Sequence, residues 1–301
     1  MVLFVEEAEW ERLIDQLHHG DCTPFLGAGA SHGALPSGSG LSKQWATEFR
    51  YPFPDDDDLA RVMQYAAVTA LDAVWIKQRL CRDLGAKSAP DFTSPTEPHA
   101  LLAEFPLSVF LTTNYDDFLV GALRHAGKKP RAAVCPWYEG APYDRELFES
   151  TLGLDPQPDH PLVYHLHGNL ATPQSLVLTE NDYLEFLVSS AAEPIEQNRT
   201  LVPAAILTAL TTRPLLFIGY SLQDWTFRVL FHGLIRAIPD IHRRRHVSVQ
   251  LPTPVNGSID DARNRAQQFL TRYLGSWNIS IFWGTAAEFC AQLRSRMGAM
   301  A

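Results

Sequence analysis

Four short segments carry residue types and spacings suited to chemistry. Gly27-Ala28-Gly29-Ala30-Ser31 follows an apolar run, and small residues at such a turn let backbone N–H groups approach a phosphate, with Ser31 adding a hydroxyl. The match to G-x-G-x-x-G is incomplete, because position 32 is His and the third glycine is Gly33. Glycine turns after strands are common, so a purely structural turn is the other reading. Thr112-Thr113-Asn114-Tyr115-Asp116 sets two hydroxyls, an amide and a carboxylate in one stretch. Such residues also cap helices, and Phe118, Leu119 and Leu123 follow at helical spacing. Capping accounts for one of these polar residues better than for all of them. His165 and His167 flank Leu166, and on a strand both imidazoles would share a face. No third ligand for a metal is identifiable. His165, the deeper of the two, reads as a core histidine, whereas His167 beside Gly168 is where a general base would reach substrate. Gly219-Tyr220-Ser221 closes the set.

The elements that must position them are apolar strands ending in glycine or small polar residues. Thr23–Leu26, Leu107–Leu111, Leu162–Gly168, Leu215–Ser221 and Ile279–Gly284 fit that description. Helical spacing spans residues 7–18, with Trp10, Leu13, Ile14 and Leu17 on one face, and residues 286–297. Leu59, Val62, Tyr65, Ala66, Leu71, Val74, Trp75 and Leu80 read as one longer helix. Asp55–Asp58 lies ahead of it, where acidic residues complement the helix dipole; four adjacent aspartates cannot all converge on one ion. Residues 36–58 look like a long loop, and 130–161, with six prolines, like irregular connection. Strands alternating with helices indicate a doubly wound parallel α/β sheet. Such sheets bind ligands beyond the carboxyl ends of their strands, which gathers residues 27–31, 112–116, 165–168 and 219–224 onto one edge.

Composition narrows the function. With 301 residues and 46% hydrophobic and 20% charged side chains, the chain is an ordinary globular protein able to bury its own core. A net charge of -9 argues against direct nucleic-acid binding, which needs cationic surface. His242-Arg243-Arg244-Arg245-His246 runs against that trend and reads as a solvated loop ahead of a strand, or else as a partner patch. The four cysteines, at 22, 81, 135 and 290, make neither a zinc knuckle nor a redox pair and suit reduced thiols in the cytoplasm. Met1–Val5 lacks the form of a secretion signal. The apolar stretch 201–220 is interrupted by Pro203, Arg213 and Pro214, so no membrane span is expected.

Taken together, these residues resemble the sirtuin superfamily, and most of all its prokaryotic antiviral-defence branch. The family's G-A-G-x-S turn is present as Gly27–Ser31, its T-x-N-x-D segment as Thr112–Asp116, its His-Gly as His167-Gly168 and its later G-x-S as Gly219–Ser221. The stretches 217–225 and 282–286 are also similar to that branch, and the motifs run in order from 25 to about 293. The resemblance implies one Rossmann-like NAD-binding domain over 1–301, with a mainly helical insert at about 37–98. Sirtuin deacylases carry a four-cysteine zinc module; no cysteine pair here could build one, and the insert would be held by apolar packing instead.

What the resemblance implies is hydrolysis of the nicotinamide–ribose bond of NAD, the substrate, with no metal. Gly27, Ala28, Gly29, Ala30 and Ser31 would hold the pyrophosphate, and Thr113 would join the cofactor contacts. Asn114 would orient water or ribose, Asp116 would help recognise the nicotinamide, and His167 would act as general base. Gly219 and Ser221 would contact the adenosine side, and Gly284 would border the adenine. Asp224 is a further candidate that could equally cap a helix. An unchecked NADase would poison its host, and no fused sensor fits in this length, so control in trans is expected: self-assembly into a homo-oligomer, or a partner such as the HerA-type ATPases associated with this branch. Two alternatives stay open, a non-catalytic NAD or ADP-ribose sensor and an NAD-dependent deacylase or ADP-ribosyltransferase.

Overall fold

The structure, a computed structural model, describes residues 7–148, 155–191, 201–220, 244–251 and 259–300. Among these residues the strands are β1 (Thr23–Leu26), β2 (Val109–Thr112), β3 (Arg131–Val134), β4 (Leu162–His165), β5 (Leu215–Ile218), β6 (His246–Gln250) and β7 (Ile279–Trp283). They form one sheet in the order β3-β4-β2-β1-β5-β6-β7, every pair parallel. The expected doubly wound α/β architecture is therefore present.

All residues of β1, β2, β4 and β5 are buried, because both faces of a parallel sheet are covered. Alternate side chains divide between two cores. Leu26, Phe110, Val163 and Ile218 pack with Trp10, Leu13 and Leu17 of α1 (Glu7–His18) and with Phe289 and Leu293 of the C-terminal helix Ala286–Met300. Phe25, Leu111, Tyr164 and Phe217 face the other way, toward Trp137 and Phe186.

Three sequence expectations change. Residues 36–58 are not a long loop, because they contain α2 (Gly38–Phe49). The Ser37 hydroxyl accepts the Gly40 N–H at 3.1 Å, and Leu41, Trp45 and Ala46 are buried. That burial outweighs the poor helix propensity of two glycines in the first turn. The helix expected to run unbroken from 59 to 80 is two, α3 (Leu59–Ala70) and α4 (Ala73–Gly85). Leu71 turns left-handed at φ 55, and Asp72 starts a new helix by accepting the Trp75 N–H at 2.8 Å. Residues 130–161 are not all irregular: they supply the edge strand β3 and a short helix, Arg145–Phe148. The aspartate run does structural work, with Asp58 capping α3 through the Arg61 N–H at 3.2 Å.

The helices α2, α3 and α4 enclose a third core of Leu41, Trp45, Val62, Met63, Ala66, Ile76 and Leu80. A buried ion pair at 2.7 Å joins this insert to the rest, from Lys77 to Asp182 in the helix Glu180–Ala191. Lys77 Nζ also lies 5.5 Å from the centre of the Trp137 ring. The four cysteines are buried free thiols, and burial pushes Cys22 up to about 12. Within the stretch 201–220, a short helix (Ala204–Thr212) precedes β5; no helix among the described residues is long and apolar enough to cross a membrane. Of the basic run, Arg244 and Arg245 are exposed residues ahead of β6, as expected, and His246 is the first residue of that strand; His242 and Arg243 lie outside the described residues. Arg245 pairs with Glu9 at 2.7 Å, and the buried His246 accepts the Leu215 N–H on Nδ1 at 2.9 Å.

The chain leaves β1 toward β2 and leaves β5 toward β6, so these adjacent strands mark the point where the winding reverses. There the two strand-end loops touch. The Gly27 N–H donates to Ile218 O at 3.0 Å and the Gly29 N–H to Gly219 O at 2.8 Å. Gly219 has φ +71, and a Cβ on it would lie 2.0 Å from the Ala30 nitrogen. A Cβ on Gly27 would lie 2.7 Å from Gly219 O. Glycine is required here by the mutual approach of two backbones.

Gly219→Ala is expected to cost at least about 3 kcal/mol, combining left-handed strain with displaced backbone. Gly33→Ala has φ +95 but open space, so it should cost only about 1–2 kcal/mol. Equal shifts of the two denaturation midpoints would contradict this. Burial lowers His246 from 6.5 to about 4. Between those values the unfolded state binds the extra proton, so stability present above pH 6.5 should be lost as the pH falls to about 4. His246→Asn keeps an acceptor near Nδ1 and should flatten that part of a stability–pH curve measured in denaturant.

Candidate active site

The end of β2 leads directly into the helix α5 (Phe118–His125), and the short link carries a dense polar cluster on the carboxyl edge. Thr112 Oγ1 donates to Leu26 O at 3.2 Å and accepts the Asn114 N–H at 2.9 Å. Asn114 Nδ2 donates to Ser31 Oγ at 3.1 Å, and Ser31 Oγ donates to Asp116 Oδ2 at 3.0 Å. The other carboxylate oxygen of Asp116 accepts the Phe118 N–H at 3.0 Å. Asp116 thus serves the helix start and the polar chain at once. Ser31, Asn114 and Asp116, identified separately in the sequence, form one buried hydrogen-bonded series.

Gly29 and Ala30 have a different local task. The Gly29 N–H is held by Gly219 O, and the Ala30 N–H donates to Gly27 O at 2.9 Å, within the 3-10 turn Ala28–Ser31. Two of the N–H groups expected to face a phosphate are therefore occupied by the fold. The Thr113 N–H likewise donates to Leu26 O at 3.0 Å.

The expectation that His165 and His167 share one strand face is not met. β4 ends at His165, and residues 166–167 form a turn. The His167 ring packs edge-on against Phe186 and Tyr183, with centroids 5.1 and 5.6 Å away. Its Nε2 is buried without a hydrogen-bond partner, and burial pulls the imidazole down to about 4. It is therefore neutral at neutral pH, with a lone pair available. His165 instead approaches Asn114 O with Nδ1 at 3.2 Å.

Sequence reasoning missed the residues that stitch these segments together. Gly168 has φ +92, and a Cβ there would meet Ser175 O at 2.2 Å, so the returning segment 173–178 closes over it. Trp137 Nε1 donates to Ser175 O at 2.8 Å, Tyr115 Oη to Val177 O at 2.7 Å, and Asn169 Nδ2 to Asp117 Oδ1 at 2.6 Å. The Val177 N–H returns to His167 O at 3.0 Å. The only sequence signal for these was the polar pair Asp116-Asp117 and the Asn that follows His167-Gly168.

Across the winding reversal, Gln250 Nε2 donates to Tyr220 O at 2.6 Å, and Gln250 O accepts the Gly284 N–H at 2.9 Å. Gly284 thus lies on the same edge as Gly219. Ser221 and Asp224 lie outside the described residues. Among the described residues, no group of three His, Cys, Asp or Glu side chains is arranged to hold a metal ion. Chemically, the edge offers fixed amide, hydroxyl and carboxylate groups beside a neutral imidazole. That set suits orientation of a polar substrate and transfer of one proton.

Three relatives are each called NAD(+) hydrolase ThsA. The Acinetobacter baumannii (strain 532279) protein is 24% identical over 218 residues, covering 71% of this chain and 39% of its own length. The Cytobacillus dafuensis protein is 25% identical, covering 71% of this chain and 38% of its own. For the Enterococcus faecium protein the values are 25%, 71% and 40%. This chain spans about two fifths of the length of the relatives it matches. Residues 108–281 match the SIR2-like domain, and this span runs from the start of β2 into β7. That span is more than half of the chain, and the chain belongs to the SIR2-like domain family.

Proposed function

We propose that the protein hydrolyses NAD+ at the nicotinamide–ribose bond, releasing nicotinamide and ADP-ribose. The observation that carries this reading is the buried Asn114–Ser31–Asp116 series at the winding reversal of the sheet. The relatives named as NAD(+) hydrolases support it. In the reaction the bond between the nicotinamide nitrogen and the ribose C1′ breaks, and its electron pair leaves with the nicotinamide. The oxocarbenium-like ribose then takes a water oxygen, and the water gives up a proton.

Each side chain has a role that follows from its chemistry. With Nδ2 engaged by Ser31, Asn114 can turn Oδ1 toward a water or ribose hydroxyl. His167 accepts the proton from water or from a ribose hydroxyl. Asp116 fixes the Ser31 hydroxyl and helps recognise the nicotinamide carboxamide. Residues 27–31 and Thr113 border the pyrophosphate, Gly219 and Ser221 the adenosine, and Gly284 the adenine. Residues 1–301 then act as one NAD-binding unit whose insert, about 37–98, walls the site. We further read the protein as a cytoplasmic antiviral-defence effector that depletes NAD when activated. Its control lies in homo-oligomerisation or in a protein partner such as a HerA-type ATPase.

Purified protein supplied with NAD+ should yield nicotinamide and ADP-ribose in equal amounts. Asn114→Ala and His167→Ala should each lower kcat by at least about 100-fold while the unfolding transition is kept. Binding of NAD+ without cleavage would favour a sensor, and NAD-dependent deacylation of an acylated peptide would overturn the choice of water as acceptor. Because His167 sits near 4, kcat/KM should stay level from about pH 8 down through 6.5 and drop only as the imidazole protonates below about 5. An acid limb centred near pH 6.5 would mean that another group is the base.

A further inference from the structure

His165 is two residues from the proposed base, yet the reaction outlined above gives it nothing to do. It is 1% exposed, and an imidazole kept there carries a desolvation cost that an apolar side chain of similar size would avoid. Its Nδ1 lies 3.2 Å from Asn114 O. A carbonyl oxygen only accepts, so Nδ1 bears the proton and the neutral ring keeps its lone pair on Nε2. Nε2 is buried without a hydrogen-bond donor and faces Asp117 Oδ1 at 3.6 Å. That same oxygen accepts Asn169 Nδ2 at 2.6 Å. In this tautomer Nε2 and Asp117 Oδ1 are both acceptors, so the hydrogen bond that orients the ring is the one from Nδ1 to the Asn114 carbonyl.

The consequence falls on Asn114. Its N–H is held by Thr112 Oγ1 at 2.9 Å and its C=O by His165, while its side-chain amide reaches Ser31. With both backbone groups anchored, little beyond the side-chain torsions is left free, and one end of those is fixed as well. We propose that His165 is a positioning residue: its Nδ1–H holds the Asn114 carbonyl, and so sets the angle at which the Asn114 amide is presented to substrate. The catalytic part of this proposal rests on the NAD-cleavage reading; the positioning part does not.

His165→Leu removes the donor, whereas His165→Asn keeps an N–H near the place of Nδ1. The readouts are thermal unfolding, kcat and KM for NAD+, and the side-chain 15N–1H signals of Asn114 without NAD+, assigned by their loss in Asn114→Asp. In folded His165→Leu, kcat should fall about 10–100-fold with KM within about twofold, and the Asn114 signals should move. His165→Asn should bring both back toward wild type. Unmoved Asn114 signals in folded His165→Leu, or equal loss of kcat in both variants, would overturn the proposal. The imidazole 15N shifts of the wild type decide the matter even if His165→Leu fails to fold. A neutral ring protonated on Nδ1 is expected, and protonation on Nε2 alone would refute the hydrogen bond. A wild type that does not cleave NAD+ would sink the hydrolase reading, while the Asn114 signals and the tautomer still judge the positioning.

Discussion

The contact between Gly219 and the 27–31 turn sets the positions of the polar groups around it. β1 lies between β5 and β2, so the turn after β1 is gripped from both sides. On one side Gly29 bonds to Gly219 O, and on the other the Thr113 N–H bonds to Leu26 O. Ser31, at the end of that turn, can reach Asn114 and Asp116 only because neither glycine carries a Cβ to hold the loops apart. A methyl on Gly219 would press on the Ala30 nitrogen, one residue from the hydroxyl that links the amide to the carboxylate. Packing and polar geometry are here the same constraint.

The helical insert and the segment after β4 enclose the edge by a different means. Its wall combines apolar helix packing with a few buried polar ties. Lys77 reaches Asp182, whose second oxygen accepts the Leu178 and Thr179 N–H groups at 3.1 and 2.8 Å. The helix carrying Asp182 also carries Tyr183 and Phe186, which pack on His167. A buried ion pair adds little net stability, but loss of one partner is costly. This one therefore fixes where the insert meets the aromatic side chains around the histidine more than it strengthens the fold.

Much of this was legible in the sequence, and the exceptions have physical causes. β1, β2, β4 and β5 announce themselves because central parallel strands are continuous apolar runs ending in small or polar residues, and β7, though at the sheet's edge, is readable because its first four residues are buried and mostly apolar. β3 does not, since Arg131-Ala132-Ala133-Val134 is a half-exposed edge with no such run. α2 was masked by Gly38 and Gly40, whose propensity is overridden by burial of Leu41 and Trp45. The break at Leu71 follows from one left-handed residue that no periodicity reveals. Ser31, Asn114 and Asp116 were visible as residue types, but their direct linkage depends on strand order. The divergence of His165 and His167 depends on β4 ending at His165, with Leu166 and His167 already in a turn.

Charge explains why a dry, neutral histidine suits the proposed chemistry. The nicotinamide ring of NAD+ is cationic, and as the bond to ribose breaks that charge passes to the sugar. An imidazolium nearby would repel the substrate and the transition state alike, most strongly where water is excluded. Burial among Tyr183 and Phe186 keeps His167 neutral through most of the accessible pH range, so in the proposed reaction it would add no positive charge beside the developing cation. The proton it must accept appears only when water or a ribose hydroxyl is activated, at the point where positive charge on the ribose is being quenched. The same apolar packing that costs the protein the solvation of an imidazole therefore keeps the base in the one protonation state that the reaction can use.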